Sequence, residues 1–352
     1  MKRRGVGVGA RSKVASAIVS MGVLVTLVAR GDHAEASPPR FRHTRASLRI
    51  VGRVSTGPQP KSVTVSPDGR EVWVAAFGKR DVGNLDVFNA ATLTRRATIA
   101  IRGNPVEILF DRSGRRAFVS SFAAAKVMEV DVRTRSVRRE LPAGLDPKML
   151  ALSPDEATLY VVNWRSNDVS VVDLATGSER ARLETARHPR GIAVLPDGRV
   201  MVASTEGDVV HEFDAAGRPL RRLPTCAFPR HLVLSSDASH LYVTCSGESV
   251  VATYRLSDFR RISSAPTGRN PRSMALATGG RSLYVANYDG RSVSIVDLDG
   301  LVTSSLEPPD VGRIVGVASS PANGDRFFAT SWDTRELLAF EPRRAPEPDR
   351  SP

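Results

Sequence analysis

The chain has 352 residues, 41% of them apolar and 6% aromatic, and carries a formal charge of +13. That length is too great for one ordinary sandwich and suits either two domains or one large repeat array, and the apolar content excludes a chain without a sizeable core. The two cysteines belong to neither a Cys-x-x-Cys-His haem site nor a clustered metal-ligand spacing, so no cofactor and no metal are expected.

The first 36 residues read as a targeting segment. Lys2, Arg3, Arg4, Arg11 and Lys13 form a basic n-region, Val14 to Ala29 is an apolar run of 16 residues, and Ala34-Glu35-Ala36 has the small-x-small pattern of a signal peptidase site. The expectation is export to the periplasm, cell envelope or extracellular space. The mature chain would start near Ser37, with no stable membrane insertion after cleavage. An uncleaved anchor is the alternative. No Cys follows the apolar run, which argues against a lipoprotein, and the residues around Arg3-Arg4 fit a twin-arginine signal poorly. Cleavage removes six basic and two acidic residues, taking the charge from +13 to +9. The mature surface stays basic, largely through Arg. Residues 37–46 read as a linker.

From residue 47 the chain repeats itself. Pro60, Pro105, Pro147, Pro189, Pro229 and Pro271 are spaced by 45, 42, 42, 40 and 42 residues. Each proline is followed by an apolar alternation and a turn, such as SPDG at 66–69 or LPDG at 195–198. A second run follows (EVWVAAF, RAFVSSF, TLYVVNW, RVMVAST, HLYVTCS, SLYVANY, RFFATSW), then a third such as DVSVVD or SVSIVD, then a weaker, more polar fourth. A seventh unit has Val311-Gly312-Arg313 in place of the proline. Four short strands per unit of about 42 residues mark a seven-bladed, all-β propeller of four-stranded antiparallel blades. Unit seven lacks its own fourth strand. Residues 47–54, SLRIVGRV, fit that place and would close the ring, leaving no open sheet edge. Val63, Val65, Val161, Val171, Val285 and Ile295 should form apolar layers between blades. Asp131, Asp173, Asp214 and Asp297, at the ends of third strands, should bond backbone amides in the next turn. Residues 343–352, Pro-rich and charged, read as a disordered tail.

The strings LYVVNW, DVSVVDL, LYVANY and VSIVDL resemble the YVTN-type repeats of bacterial seven-bladed propellers, the YncE-like proteins among them. The resemblance covers about residues 47–342 and implies the propeller fold. It implies little about function, because members bind widely different partners.

The topology places two sets of residues at one rim of the ring. The residue after each proline is Lys61, Val106, Lys148, Arg190, Arg230 or Arg272, with Arg313 as a shifted counterpart in unit seven. The residue after each second strand is Phe77, Phe122, Trp164, Thr205, Ser246, Tyr288 or Trp332. A cationic, aromatic mouth suits an anionic small molecule or an acidic protein partner, with nucleic acid a weaker candidate in an exported chain. The plainer reading has aromatics sealing gaps between blades and cations bonding loop carbonyls of the next blade. His188 and His231 belong near the same rim, as a general base or a metal pair if they converge with Glu107. Asn163 and Asn287 are the nearest amides for a lactonase-like channel site. Cys226 and Cys245 should lie near one another in blade five and form a disulfide, with free thiols or a thiol–His231 pair as the alternative. The function expected is a monomeric, non-catalytic binding propeller with an anionic ligand or protein partner at this face. Alternatives are a hydrolase or lyase at the channel mouth, and a docking subunit of a redox system.

Overall fold

The computed structural model describes residues 41–45, 48–79, 82–299, 301–308, 310–322 and 326–342. The expected signal segment and the expected tail lie outside them. The described residues form a seven-bladed β-propeller, and among them no helix is long and apolar enough to cross a membrane.

Blades one to five take their four strands from consecutive chain. Blade three, for example, runs Pro147–Leu152, Thr158–Asn163, Asp168–Asp173 and Ser178–Glu184, each antiparallel to the one before. Blade seven holds Ile314–Ser319, Phe327–Ser331 and Glu336–Pro342, and its outer strand is Leu48–Ser55, antiparallel to Glu336–Pro342. The early strand therefore closes the ring as its position implies. Blade six differs from expectation. Arg42–Arg45, within the expected linker, adds a fifth strand to its outer edge, parallel to Val302–Leu306.

Seven apolar clusters lie between blades, one per interface. Period-two alternation builds them. In Leu159-Tyr160-Val161-Val162, Leu159 and Val161 pack toward blade two, and Tyr160 and Val162 toward blade four. Each sheet is covered on both faces, so the second strands read as nearly unbroken apolar runs. Val63, Val161, Val171 and Val285 are buried in these layers, and Val65 and Ile295 pack against them half-buried. The third-strand aspartates cap turns. Oδ1 of Asp131, Asp173, Asp214 and Asp297 accepts from the amides of Thr134, Thr176, Ala216 and Asp299 at 2.8, 2.8, 3.0 and 3.1 Å.

Candidate functional site

The first strand of every blade lines the central channel, and it carries an irregularity that its sequence does not announce. Pro60, Pro105, Pro147, Pro189, Pro229, Pro271 and Ile314 each stand opposite the end of the second strand. In all seven blades the register shifts immediately afterwards. A bulge frees the following residue from the ladder and re-aims its side chain. Here the freed residues are Lys61, Val106, Lys148, Arg190, Arg230, Arg272 and Val315, and all seven line one axial cavity of about 120 Å³. Glu107 and His231 line it too.

The aromatic set is fastened to the same segments. The amides of Phe77, Phe122, Trp164, Tyr288 and Trp332 donate to the carbonyls of Gln59, Asn104, Asp146, Asn270 and Arg313 at 3.0, 2.8, 3.1, 3.0 and 2.9 Å. Those carbonyls belong to the residues just before the prolines or, in blade seven, before Ile314. Gln59, Asp146, His188, Phe228 and Asn270, each preceding a proline, all have positive φ. The backbone therefore turns sharply at the point from which the cation is launched.

The two sets interleave. Lys61 Nζ lies 4.5 Å from the Phe77 ring centroid and 5.7 Å from that of Phe122. Lys148 Nζ lies 4.0 Å from Phe122 and 5.2 Å from Trp164. The Arg272 guanidinium stacks 3.4 Å over Tyr288. Phe77 bridges Phe122 at 5.7 Å and Trp332 at 6.3 Å. The two members without a ring do different work. Hydroxyls of Thr205 and Ser246 donate to the carbonyls of Pro229 and Pro271 in the next blade, at 3.2 and 2.8 Å. The cations themselves turn into the cavity instead of bonding loop carbonyls.

The electrostatics of the cavity are unusual. Among the described residues no carboxylate or carbonyl pairs with Arg190 or Arg230, and Arg272 Nε is buried without a partner. Burial and the Arg272 charge lower the Arg190 pKa to about 10, so it remains a cation at neutral pH. The amines of Lys61 and Lys148 share the Phe122 ring and influence each other's charge. Burial first, then the charges of Arg190 and Arg272, lowers Lys61 to about 7. Burial, Lys61 and Arg190 lower Lys148 to about 5. The carboxyl of Glu107 is pushed up to about 8 by burial, against weaker pulls from the Ile108 amide and Lys61. His231 is held neutral, its pKa lowered to about 4 by burial, and its Nδ1 accepts from the Met274 amide at 2.9 Å.

Several expected partners do not converge. His188 is absent from the cavity lining. It stacks on Trp164 at 4.2 Å between centroids, and its Nδ1 meets Glu206 at 2.5 Å. The supposed triad of His188, His231 and Glu107 is thus reduced to His231 and Glu107, because the turn before Pro189 points residue 188 outward. Arg313 is not the seventh ring member either. Ile314 takes the proline position, Val315 enters the cavity, and Arg313 stays on the rim, paired with Asp333 and Tyr288. Asn163 and Asn287 do not reach the channel. Both are fully buried within their blades, where Asn163 Nδ2 donates to Asp168 and Ser170 at 2.6 and 3.0 Å, and Asn287 Nδ2 to Ser292 and Ser294 at 3.0 and 2.9 Å. Among the described residues no group of three His, Cys, Asp or Glu side chains is placed to share a metal ion.

Cys226 and Cys245 are disulfide-bonded, with Cα atoms 5.7 Å apart, which removes the thiol–His231 alternative. Cys226 stands three residues before Pro229, where blades three and six have Gly144 and Gly268. A Cβ on either glycine would come within 2.7 or 2.8 Å of the Asn163 or Asn287 amide nitrogen. Each of these blades therefore carries a matched pair at this spot, Gly with Asn or Cys with Cys.

Fold and site define a seven-bladed β-propeller with a closed ring and a cationic axial cavity. A family model described as "Lactonase, 7-bladed beta-propeller" matches residues 211–311, and one described as "Choice-of-anchor I domain" matches residues 39–181. The chain is 28% identical over 133 residues to the seven-bladed beta-propeller protein Rv1057 of Mycobacterium tuberculosis, covering 37% of this chain and 33% of that one. It is 25% identical over 222 residues to antigen Lp49 of Leptospira interrogans, covering 62% and 41%. The chain thus spans between a third and about two fifths of the curated relatives it matches. Among solved structures, Kuenenia stuttgartiensis hydrazine synthase superposes with a TM-score of 0.71 at 21% identity, over 82% of this chain and 97% of that one. That likeness shows the fold.

Proposed function

We propose that this is an exported, YVTN-type binding propeller that holds a small anionic ligand in its axial cavity, beneath the cationic and aromatic rim. One observation carries the reading. Lys61, Lys148, Arg190, Arg230 and Arg272 converge on one axial cavity in which the three arginines stay charged, and Glu107, the carboxyl among the lining residues, is kept protonated by burial. Burying cations without counter-charges is costly, and an anion offsets that cost. The volume of about 120 Å³ suits a ligand of a few heavy atoms, well under the roughly 300 Å³ at which drug-sized sites begin. The Cys226–Cys245 disulfide supports an oxidising, exported location.

Calorimetry with lactate, a small carboxylate without a reactive carbonyl, tests the reading. Lactate is expected to bind the parent protein. Arg190→Ala should weaken binding about tenfold or more, since charge-assisted hydrogen bonds contribute roughly 1.5–3 kcal/mol. Charge reversal at Arg190, Arg230 and Arg272 together should abolish it. No binding to the parent, or unchanged binding to the triple variant, removes the ring from the account.

A further inference from the structure

Anion binding leaves two features of the cavity unused: a pair of amines able to lose a proton, and a protonated carboxyl near them. The chain writes its basic residues as arginine 44 times and as lysine six times. Four lysines fall within residues 47–342, and two of those four, Lys61 and Lys148, stand in the inner ring. Arginine serves as a fixed cation, whereas lysine can give up its proton and act as a nucleophile. Lys148 is 7% exposed, shares the Phe122 ring with Lys61, and is flanked on its other side by Trp164. Burial, then the charges of Lys61 and Arg190, outweigh the upward pull of Asp146, so Lys148 is neutral at pH 7. The ring is also lopsided. Arg190, Arg230 and Arg272 come from three successive blades, and the lysines come from blades one and three, on either side of Val106.

We propose that Lys148 forms an imine with the carbonyl of a small 2-oxo acid whose carboxylate is held by Arg190, Arg230 and Arg272. The proposal rests on the anion-binding reading above. The Lys148 nitrogen lone pair attacks the carbonyl carbon, and the carbonyl π pair moves onto oxygen. A proton passes from that nitrogen to the oxygen by way of Lys61, which gives a carbinolamine. Glu107 then protonates the hydroxyl, water leaves, and the nitrogen lone pair closes the C=N bond. One amine, one carbonyl and the Glu107 proton become one protonated imine, one water and a Glu107 carboxylate. Nothing is oxidised or reduced. The imine leaves its own positive charge beside the newly formed carboxylate, so the step adds no net charge to the cavity.

The full chain is incubated with pyruvate and sodium cyanoborohydride, which reduces an imine to a stable amine. Intact mass and peptide mapping then locate the adduct. One carboxyethyl group per chain, on Lys148, is the expected result, and it should be absent from Lys148→Arg. Of the titratable and charged groups about the cavity, Lys61 and Arg190 join burial in lowering the Lys148 pKa and Asp146 opposes them, while Glu107 and His231 line the same cavity; the balance keeps the amine neutral through the neutral range. The trapping rate should therefore change little between pH 6 and pH 8, whereas an ordinary lysine would gain about tenfold per pH unit. Lactate binding, measured alongside, separates the two readings. A parent protein that binds lactate but stays unmodified, or is modified equally at Lys79 and Lys126, overturns the imine and leaves the anion site standing. A parent that neither binds lactate nor is modified overturns both.

Discussion

Glu107 shows how strongly the cavity sets the chemistry of a single side chain. Burial raises its carboxyl from the ordinary 4.5 to about 8, more than the neighbouring Lys61 charge lowers it. A folded-state pKa above the unfolded one means that the native state holds the extra proton. The folded state therefore loses stability as pH climbs from 4.5 toward 8, and the loss is complete above that. Glu107→Gln removes this penalty. It should match the parent near pH 4 and exceed it at pH 9 by up to about 5 kcal/mol in urea unfolding. Equal stability at pH 9 would mean that Glu107 ionises freely in the cavity. The cation ring was legible from the prolines, because a residue at a fixed offset from a strand start recurs in each blade. The carboxyl's state was not legible. It depends on how deeply seven separate strands enclose one side chain, and no local stretch encodes that.

Blade five shows what an element can exchange while keeping its fold. In blades three and six the second strand ends in Asn163 or Asn287, and the facing third strand supplies acceptors: Asp168 and Ser170, or Ser292 and Ser294. In blade five the corresponding residues, by register, are Cys245, Val250 and Ala252. The glycine three residues before the proline becomes Cys226. The polar link between strands is thus replaced by a covalent link to the incoming loop. The bridge spans a sequence separation of 19, and in the chain-entropy model a loop of that size contributes about 3 kcal/mol. Cys226→Ala with Cys245→Ala should lose roughly that amount. Cys226→Gly with Cys245→Asn, which copies the pair of blades three and six, should lose about 1–3 kcal/mol more, because a buried amide facing Val250 and Ala252 finds no acceptor. Urea midpoints of the two variants decide it, and the Gly/Asn variant proving the more stable would refute the account. This exchange was partly legible. The replacement of Asn by Cys245 stands out in the repeat alignment. The matching loss of glycine and of the serine acceptors becomes meaningful only once strand register is known. The bulges after the prolines stayed hidden for the same reason, since they are set by what the partner strand opposes.

At the scale of the whole molecule, the ring depends on a strand taken from the other end of the chain. Leu48–Ser55 covers Glu336–Pro342, whose residues Leu337, Leu338, Ala339 and Phe340 are fully buried. Their side chains pack in two different layers, Leu338 and Phe340 against blade six, Leu337 and Ala339 against blade one. Leu48 joins the first of these layers, with Ile50 packed against it, and Val51 and Val54 pack against the second, so one strand seals both. Without it, blade seven would present an apolar edge with unpaired amides and carbonyls, a template for pairing between chains. A chain beginning at Thr56 should therefore leave size-exclusion chromatography as oligomers and lose its sharp thermal transition. A synthetic peptide of residues 48–55 should restore both the parent's elution volume and the transition, because strand addition supplies the missing ladder in trans. Rescue by a scrambled peptide would show that mere coverage suffices. A monomeric, sharply melting truncated chain would show that seven blades hold their axial cavity together without the closing strand, and the early segment would then need another explanation.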